Sequence, residues 1–353
     1  MRVEKARALG KAVRRPGFIA TIAGLTFVAT AVAADKADIG NLKPQDVKVS
    51  GRGLPFDNAQ PGKRDFGRLV WQGGLVLNSG SEHFGGYSGL AVDSKGERFL
   101  SVSDAGSWLA GRLEYKHGQL SGVSEARTGA IPQRDGRPLQ GKRDRDAEAL
   151  VALKPGALEG RYLIAFEGRH RLEEYAFEKG EMRGPLSTRP VPPQLKGMSS
   201  NAGLENATLI RGGAQAGALV VFAERKLTSE GNHTGALVKD GKAQPLFLKR
   251  HEDFDPTDLQ SLADGSLVIL ERSFNPRMLR LGIRLRLIKA ADIRPGALLT
   301  GETLLQAGPG MEIDNFEGLA VHETAKGESV LTLISDDNFN FLQRTLLMQF
   351  KLK

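Results

Sequence analysis

Acidic side chains recur at a regular spacing along this sequence of 353 residues. The first set consists of Glu148, Glu205, Asp258 and Glu317, with Ser88-Gly89 in its place in the earliest copy. The second set ends the next apolar run of each copy and consists of Asp104, Glu167, Glu224, Glu271 and Asp336-Asp337. If both sets meet in space, they cannot all ionise without compensation, because each carboxylate disfavours the charged form of its neighbours.

A hard divalent cation is one such compensation. Ca²⁺ takes about six to eight oxygen ligands from carboxylates, carbonyls and water. Asp336, Asp337 and Asn338 share one turn, and with Glu317 nearby they would suit this ion. Three interpretations stay open for the acids: a metal-dependent hydrolytic site, a ligand-binding mouth without catalysis, and hydrogen bonding that only joins one repeat to the next.

Arginine is the other compensation. Arg169, Arg225 and Arg272 lie one or two positions after acids of the second set. Their guanidinium groups would either lock neighbouring repeats together by salt bridges or bind a phosphate or carboxylate bidentately.

Other kinds of catalytic site are not supported by the sequence. It contains no cysteine, which excludes thiolate metal sites and cysteine nucleophiles. Gly86-Tyr-Ser-Gly89 lacks the spacing of a nucleophile elbow, and the six histidines lack metal-ligand spacing. His170, beside Arg169, is the one histidine within the repeated phrase, where it would be either a general acid or a plain surface residue.

The elements that position these acids are short strands. Measured from Gly89 through the first set, the copies are 59, 57, 53 and 59 residues apart. A repeat of this length built from strands and turns predicts an all-β fold, a β-propeller. We expect six blades: five full copies and a first unit around Arg68–Leu77, which pairs with the C-terminal strand Leu346–Leu352 to close the ring. The alternation of arginine in Leu279–Ile288 predicts a strand with a solvated basic face, and Ala290–Ile293 a single helical turn.

The first 34 residues have the layout of a signal peptide. A basic start, an apolar run and small residues near Ala33 predict export to the periplasm or medium, by the Sec route or, given Arg14-Arg15, the Tat route. The alternative, a membrane anchor, is less favoured because the apolar run is short for a span of about 20 residues. Residues 35–44 would be a flexible lead-in and residues 45–353 a single propeller domain. Beyond residue 34 there are 43 basic and 40 acidic residues, so no nucleic-acid partner is expected.

Several phrases together resemble the phytase-like family, also called esterase-like activity of phytase. They are Ser88-Gly-Leu, Asp146-Ala-Glu-Ala-Leu, Gly203-Leu-Glu-Asn, Leu270-Glu-Arg-Ser-Phe-Asn, Glu317-Gly-Leu and Ser335-Asp-Asp-Asn-Phe. The resemblance runs from about Phe84 to the C-terminus. It implies an exported propeller that acts on phosphate or other esters. Propeller phytases hold several Ca²⁺ ions with carboxylates at the channel mouth, a design that this sequence is similar to in general form. Ser88 in place of an acid, and Asn206 after Glu205, depart from the pattern and would leave gaps in a metal shell.

The sequence thus predicts a Ca²⁺-dependent hydrolase of phosphate or related esters, with a non-catalytic binder of an anionic ligand or cell-envelope partner as the alternative. The predicted metal ligands are Glu148, Glu205, Glu317, Asp336 and Asp337. The predicted catalytic residues are Glu317, Asp336 and Arg272, and the predicted substrate-binding residues are Arg169, Arg225, Arg272 and His170. A small anionic or phosphorylated substrate, no membrane span after signal removal, and a monomer are expected.

Overall fold

Short β-strands make up almost all of the regular structure. The computed structural model describes residues 39–40, 42–199, 203–275, 277–278 and 280–353. The first strands are β1 (Gln45–Asp46), β2 (Val49–Gly53), β3 (Asp65–Phe66), β4 (Leu69–Ser79), β5 (Tyr87–Val92), β6 (Arg98–Ser103), β7 (Ser107–Lys116), β8 (Gln119–Ala130), β9 (Ala147–Ala152), β10 (Gly160–Phe166), β11 (Arg171–Glu178) and β12 (Glu181–Arg189). The remaining strands are β13 (Asn206–Leu209), β14 (Leu219–Leu227), β15 (His233–Lys239), β16 (Lys242–Leu248), β17 (Asp255–Ser261), β18 (Leu267–Asn275), β19 (Arg280–Ile288), β20 (Leu298–Leu299), β21 (Glu302–Ala307), β22 (Asn315–Glu323), β23 (Ser329–Asp336) and β24 (Thr345–Leu352).

Helical structure is limited to single turns in the described part of the chain. They are the α-helical turn α1 (Lys142–Arg145) and the 3₁₀ turns Pro193–Leu195, Gly213–Gln215 and Ala290–Asp292. The all-β class is therefore confirmed, and the last of these turns lies where the sequence predicts one.

The strands form five sheets, each one blade of a β-propeller. From the inner edge outward, blade one is β5-β6-β7-β8-β1, blade two β9-β10-β11-β12, blade three β13-β14-β15-β16-β20, blade four β17-β18-β19-β21 and blade five β22-β23-β24-β4-β2, with β3 beside β4. The prediction of six blades is wrong. The segment taken as a separate first unit becomes β4, which pairs with β24 in blade five. This segment has neither the acidic phrase nor an inner strand of its own, so it can only extend the sheet of the last repeat.

Five clusters of buried apolar side chains fill the spaces between neighbouring blades. They join blades one and two (Val102 with Phe166), two and three (Leu163 with Val221), three and four (Phe222 with Ile269), four and five (Leu285 with Phe350), and five and one (Leu347 with Leu109). Each blade therefore buries both faces, as a ring requires, and the hydrophobic effect holds the inner strands around one axis.

One strand contradicts its predicted exposure. The strand β19 was expected to present a solvated basic face, but Arg284 and Arg286 are buried. Both guanidinium groups pair with the carboxylate of Glu271, Arg284 at a distance of 2.7 Å, on the adjacent strand β18. Alternation alone cannot distinguish a solvated basic face from one whose charges are matched across the sheet.

The N-terminal predictions fall mainly outside the described residues. The signal peptide, with its cleavage point, lies wholly outside them. Of the lead-in, Ile39 and Leu42 are buried in a small cluster with Ala105. No helix in the described part of the chain is long and apolar enough to cross a membrane.

Candidate functional site

The five inner strands share a local irregularity that points one side chain toward the ring axis. The antiparallel ladder skips one residue between Tyr87 and Gly89, between Ala147 and Ala149, between Pro256 and Asp258, and between Phe316 and Gly318. In blade three the ladder starts at Asn206, directly after the corresponding position. The equivalent positions are therefore Ser88, Glu148, Glu205, Thr257 and Glu317. A bulge of this kind re-aims one side chain.

The equivalent residue in blade four is thus Thr257, and the sequence-based choice of Asp258 is wrong by one position. A shift of one residue in a strand moves a side chain to the other face. Asp258 is buried, and its carboxylate accepts hydrogen bonds of 2.7 Å from the backbone N–H groups of Leu259 and Leu319. Because Leu319 belongs to blade five, Asp258 joins two blades. This is the role described by the third interpretation of the acids, hydrogen bonding that joins one repeat to the next.

The second set shows the same shift. The N–H groups of Asp104, Glu167 and Glu224 each donate to the carbonyl two residues before the bulge position of their blade. In the ladders of blades five and four, Asp336 pairs with Asn315 and Arg272 pairs with Asp255. Both partners again lie two residues before the bulge position. Blade four therefore places Arg272 where the other four blades place an acid. Glu271 points into the blade, toward Arg284 and Arg286.

The mouth of the ring, the end at which these positions lie, gathers eight carboxyl groups. We call them the acidic centre: Asp104, Asp146, Glu148, Glu167, Glu205, Glu224, Glu317 and Asp336. Asp146, Glu148 and Glu167 of blade two approach most closely, since one ligand oxygen of each lies within 4.8 Å of the others. At this separation ionised carboxylates repel one another, and a shared proton or a bound cation would relieve the repulsion.

Burial and repulsion between the acids raise the pKa values of six of these groups. Burial first, then the charges of Asp146 and Glu317, raise the pKa of Asp104 to about 8. Burial likewise raises the pKa of Glu167 to about 7, against the hydrogen bond from the Gly203 N–H, and that of Asp146 to about 6, against nearby Lys142 and Arg145. The pKa values of Glu148, Glu205 and Asp336 lie well above their usual range for the same first cause, burial.

Arg272 is the positive group built into this centre. Its guanidinium contacts the carboxylate of Glu317 and the side-chain oxygen of Asn315, and it lies 3.3 Å from the carboxylate of Glu224. The other Glu317 oxygen accepts a hydrogen bond of 3.3 Å from the Ser88 hydroxyl. Arg272 thus joins blades three, four and five across the mouth, and both roles considered for the arginines are compatible with its position.

The two predicted aspartates of the last turn differ in their surroundings. Asp336 belongs to the acidic centre, with one oxygen accepting a 2.6 Å hydrogen bond from the Asn338 N–H. The carboxylate of Asp337 accepts hydrogen bonds from the N–H groups of Gly86 and Phe339 and from the Thr345 hydroxyl. Asp337 therefore ties the blade-five turn to blade one and has less capacity left for a cation.

The other predicted substrate-binding residues lie at the rim. Arg169 is exposed and pairs with Asp144 at 2.8 Å, and Arg225 is exposed and pairs with Asp255 at 3.1 Å. The Nε2 of His170 lies 3.0 Å from the carbonyl oxygen of Ser199. Its ring lies against Gly203, where a Cβ would come within 2.0 Å of the ring, and Gly203 donates its N–H to Glu167 at 2.9 Å. His170 is therefore close to the blade-two acids.

Sequence reasoning missed one acid of the centre and one lysine beside it. Asp146 was part of a quoted phrase but was not proposed as a ligand. Lys142, in α1, lies near enough to lower the pKa values of Asp104 and Asp146, and within the described chain it forms no ion pair closer than 4.0 Å. A signal for both was available in residues 131–145, a long segment before blade two that is rich in Arg, Gly, Pro and Asp. Long loops in compact rings are often functional.

Comparison with known proteins identifies the family. The model of the phytase-like family, described as esterase-like activity of phytase, matches residues 82–339. Among solved structures, an endo-arabinase from Bacteroides thetaiotaomicron is similar, with a TM-score of 0.46 and 16% identity over 75% of this chain and 92% of that chain. No curated protein matches the sequence. Because the family match covers well over half of the chain, the protein belongs to the phytase-like family.

Proposed function

We propose that the protein is a Ca²⁺-dependent hydrolase of phosphate esters or related esters, acting at the mouth of the ring. The observation that carries this proposal is the trio Asp146, Glu148 and Glu167, whose ligand oxygens lie within 4.8 Å of one another. Hard oxygen donors at this separation fit a hard divalent cation. Glu205 adds a further candidate, because its carboxyl group accepts no hydrogen bond from any residue that the structure describes.

Each group has a role that follows from its position. A bound Ca²⁺ would screen the charge of a phosphate and lower the pKa of a bound water. Arg272 and Lys142 place positive charge beside the acids, where they would hold the anionic oxygens of the ester. Asp104 and Glu167, with pKa values of about 8 and 7, are suited to exchange protons near neutral pH. Glu317 and Asn315 orient the guanidinium of Arg272.

The non-catalytic alternative also has support from the structure. Arg169, Arg225 and Arg272 are all engaged in ion pairs with carboxylates of this chain. Arginines that serve only these pairs are not free to stabilise charge on a reacting ester. Ca²⁺ at the acidic centre would then supply the positive charge that binds an anionic ligand or cell-envelope partner without turnover. We retain it as the second candidate function.

Export and a monomeric state belong to the proposal as well. The basic, apolar and small-residue order of residues 1–34 supports export to the periplasm or medium. The balanced charge beyond residue 34 supports a small anionic substrate rather than a nucleic acid.

Activity and metal binding should be measured together. Turnover of 4-nitrophenyl phosphate and of 4-nitrophenyl acetate is compared in Ca²⁺ and in excess chelator, and Ca²⁺ affinity is measured by calorimetry. Glu148→Gln is expected to weaken Ca²⁺ binding by at least about tenfold, and Arg272→Gln to lower kcat by about 100-fold or more while Ca²⁺ still binds. The exposed Glu178→Gln serves as a matched control and should match the wild type.

The outcomes separate the candidate functions. Calcium-dependent turnover that Glu148→Gln loses supports the hydrolase. Calcium binding without turnover of either ester supports the binding protein. Absence of both Ca²⁺ binding and turnover, with thermal unfolding unchanged by chelator, would leave the acids as contacts between blades.

A further inference from the structure

A cavity lies on blade four, among strand ends that follow Arg272. Its volume is about 440 Å³, within the range of about 300 to 1,000 Å³ for small-molecule sites. Its walls are the facing strand ends 273–275 and 280–282, the segment 306–309 and the segment 252–254. One lining residue, Ser273, directly follows Arg272 in β18.

Aromatic and apolar groups form part of the lining. Phe254 is buried and packs beneath Gly282, where a Cβ would lie 3.2 Å from the Phe254 ring. Phe274 is 48% exposed on the hairpin. A half-exposed aromatic ring at the edge of a concavity offers a flat apolar surface to a ligand.

The polar part of the lining carries both signs of charge. Glu252 and Asp253 stand on one wall and Arg280 on the other. Within the described part of the chain, none of these three side chains has a hydrogen-bond partner or an ion pair within 4.0 Å. The cavity therefore offers strong acceptors and strong donors that the protein itself does not use.

This combination favours a ligand that can bond both signs of charge at once. A small anion would meet two carboxylates for one guanidinium, a cation would leave Arg280 without a partner, and a purely apolar group would cover all three charged groups without bonding them. A hydroxyl both donates and accepts hydrogen bonds, so neighbouring hydroxyls can bond carboxylate and guanidinium groups together. We infer that this cavity binds a neutral sugar ring, with its apolar face on Phe274 and its hydroxyls on Glu252, Asp253 and Arg280.

The test is a binding measurement that does not depend on ester hydrolysis. Metal-free protein is titrated calorimetrically with methyl glucoside, maltotetraose, xylotetraose and chitotetraose, which distinguish a single ring from one within a polysaccharide. Phe274→Ala and Arg280→Gln are each expected to weaken binding by at least about tenfold. Phe341→Ala removes a ring that is 95% exposed outside the cavity, and it should leave binding unchanged.

The inference is overturned if no neutral saccharide binds at millimolar concentration, or if Phe274→Ala and Phe341→Ala bind equally well. Binding of glucose 6-phosphate in preference to its neutral counterpart would also overturn it, since the acids on the wall should reject an anion. Thermal unfolding of each variant shows that loss of binding is not loss of fold. Because the assay measures binding of saccharides to the metal-free protein and not turnover, its outcome does not depend on whether the protein is a hydrolase.

Discussion

The buried carboxyl groups of the acidic centre are the residues that most constrain any function. Asp146, Glu167 and Asp104 have pKa values of about 6, 7 and 8, with burial as the first cause in each case. Unfolded carboxyl groups titrate near a pH of about 4. Between these values the folded protein holds protons that the unfolded chain releases. In the absence of metal, the free energy of unfolding must therefore fall as the pH rises.

This linkage predicts the pH dependence of stability. For metal-free protein, the stability present below a pH of about 4 should be lost progressively as the pH rises through the pKa values of about 6 to 8. Ca²⁺ should restore stability most at the upper end of this window, because it binds the ionised form. Glu167→Gln should flatten the fall, since the amide carries no charge to bury. Urea unfolding at several pH values, with chelator and with Ca²⁺, measures the effect.

Glu178→Gln, on an exposed position of β11, is the control and should retain the wild-type slope. Metal-free stability that stays constant or rises between pH 5 and pH 8 would show that the acids are compensated within the protein. The argument for a cation at Asp146, Glu148 and Glu167 would then lose its physical basis.

At the scale of the strand, one residue of register decides which acids face the mouth. Asp258 accepts two backbone hydrogen bonds, one from blade five, whereas Glu148 faces the centre. Asp258→Ala should therefore cost about 3 kcal/mol of unfolding free energy, because two buried N–H groups lose their acceptor. The kcat of the folded fraction should not change. Glu148→Gln should have the opposite effect: activity or Ca²⁺ binding should be lost, and the free energy of unfolding should change little. Urea unfolding and kinetics on the same samples compare the two.

The same register marks the limit of what the sequence could predict about the site. The spacing correctly locates Glu148, Glu205, Glu317 and Asp336 at the mouth. In the fourth copy, Asp258 and Glu271 are acids one position away from Thr257 and Arg272, and no single sequence reveals where the ladder skips a residue. A bulge is a property of two paired strands, and Arg272 could only be recognised as the replacement for an acid once the pairing was known.

At the scale of the whole molecule, the repeat was sufficient to predict a propeller but not its number of blades. Strand period and turn composition are local, so the all-β class followed from them directly. The blade count depends on which strands pair across the full length of the chain. The segment that contains β4 reads locally as a unit of its own, yet it lies beside β24 in blade five. Its missing acidic phrase, visible in the sequence, was the indication that it is not a complete blade.

The C-terminal strand β24 is an interior strand of blade five. This strand lies between β4 and β23, and Leu346, Met348 and Phe350 on it are at most 1% exposed. A chain that ends before Thr345 would lose these side chains and leave two hydrophobic edge strands unpaired, which favours aggregation. We expect it to lack a cooperative thermal transition, whereas a chain lacking only Lys353 should unfold like the full protein. Differential scanning calorimetry and light scattering distinguish them. A cooperative transition in the shorter chain would mean that the contacts between blades are sufficient to hold the ring without this strand.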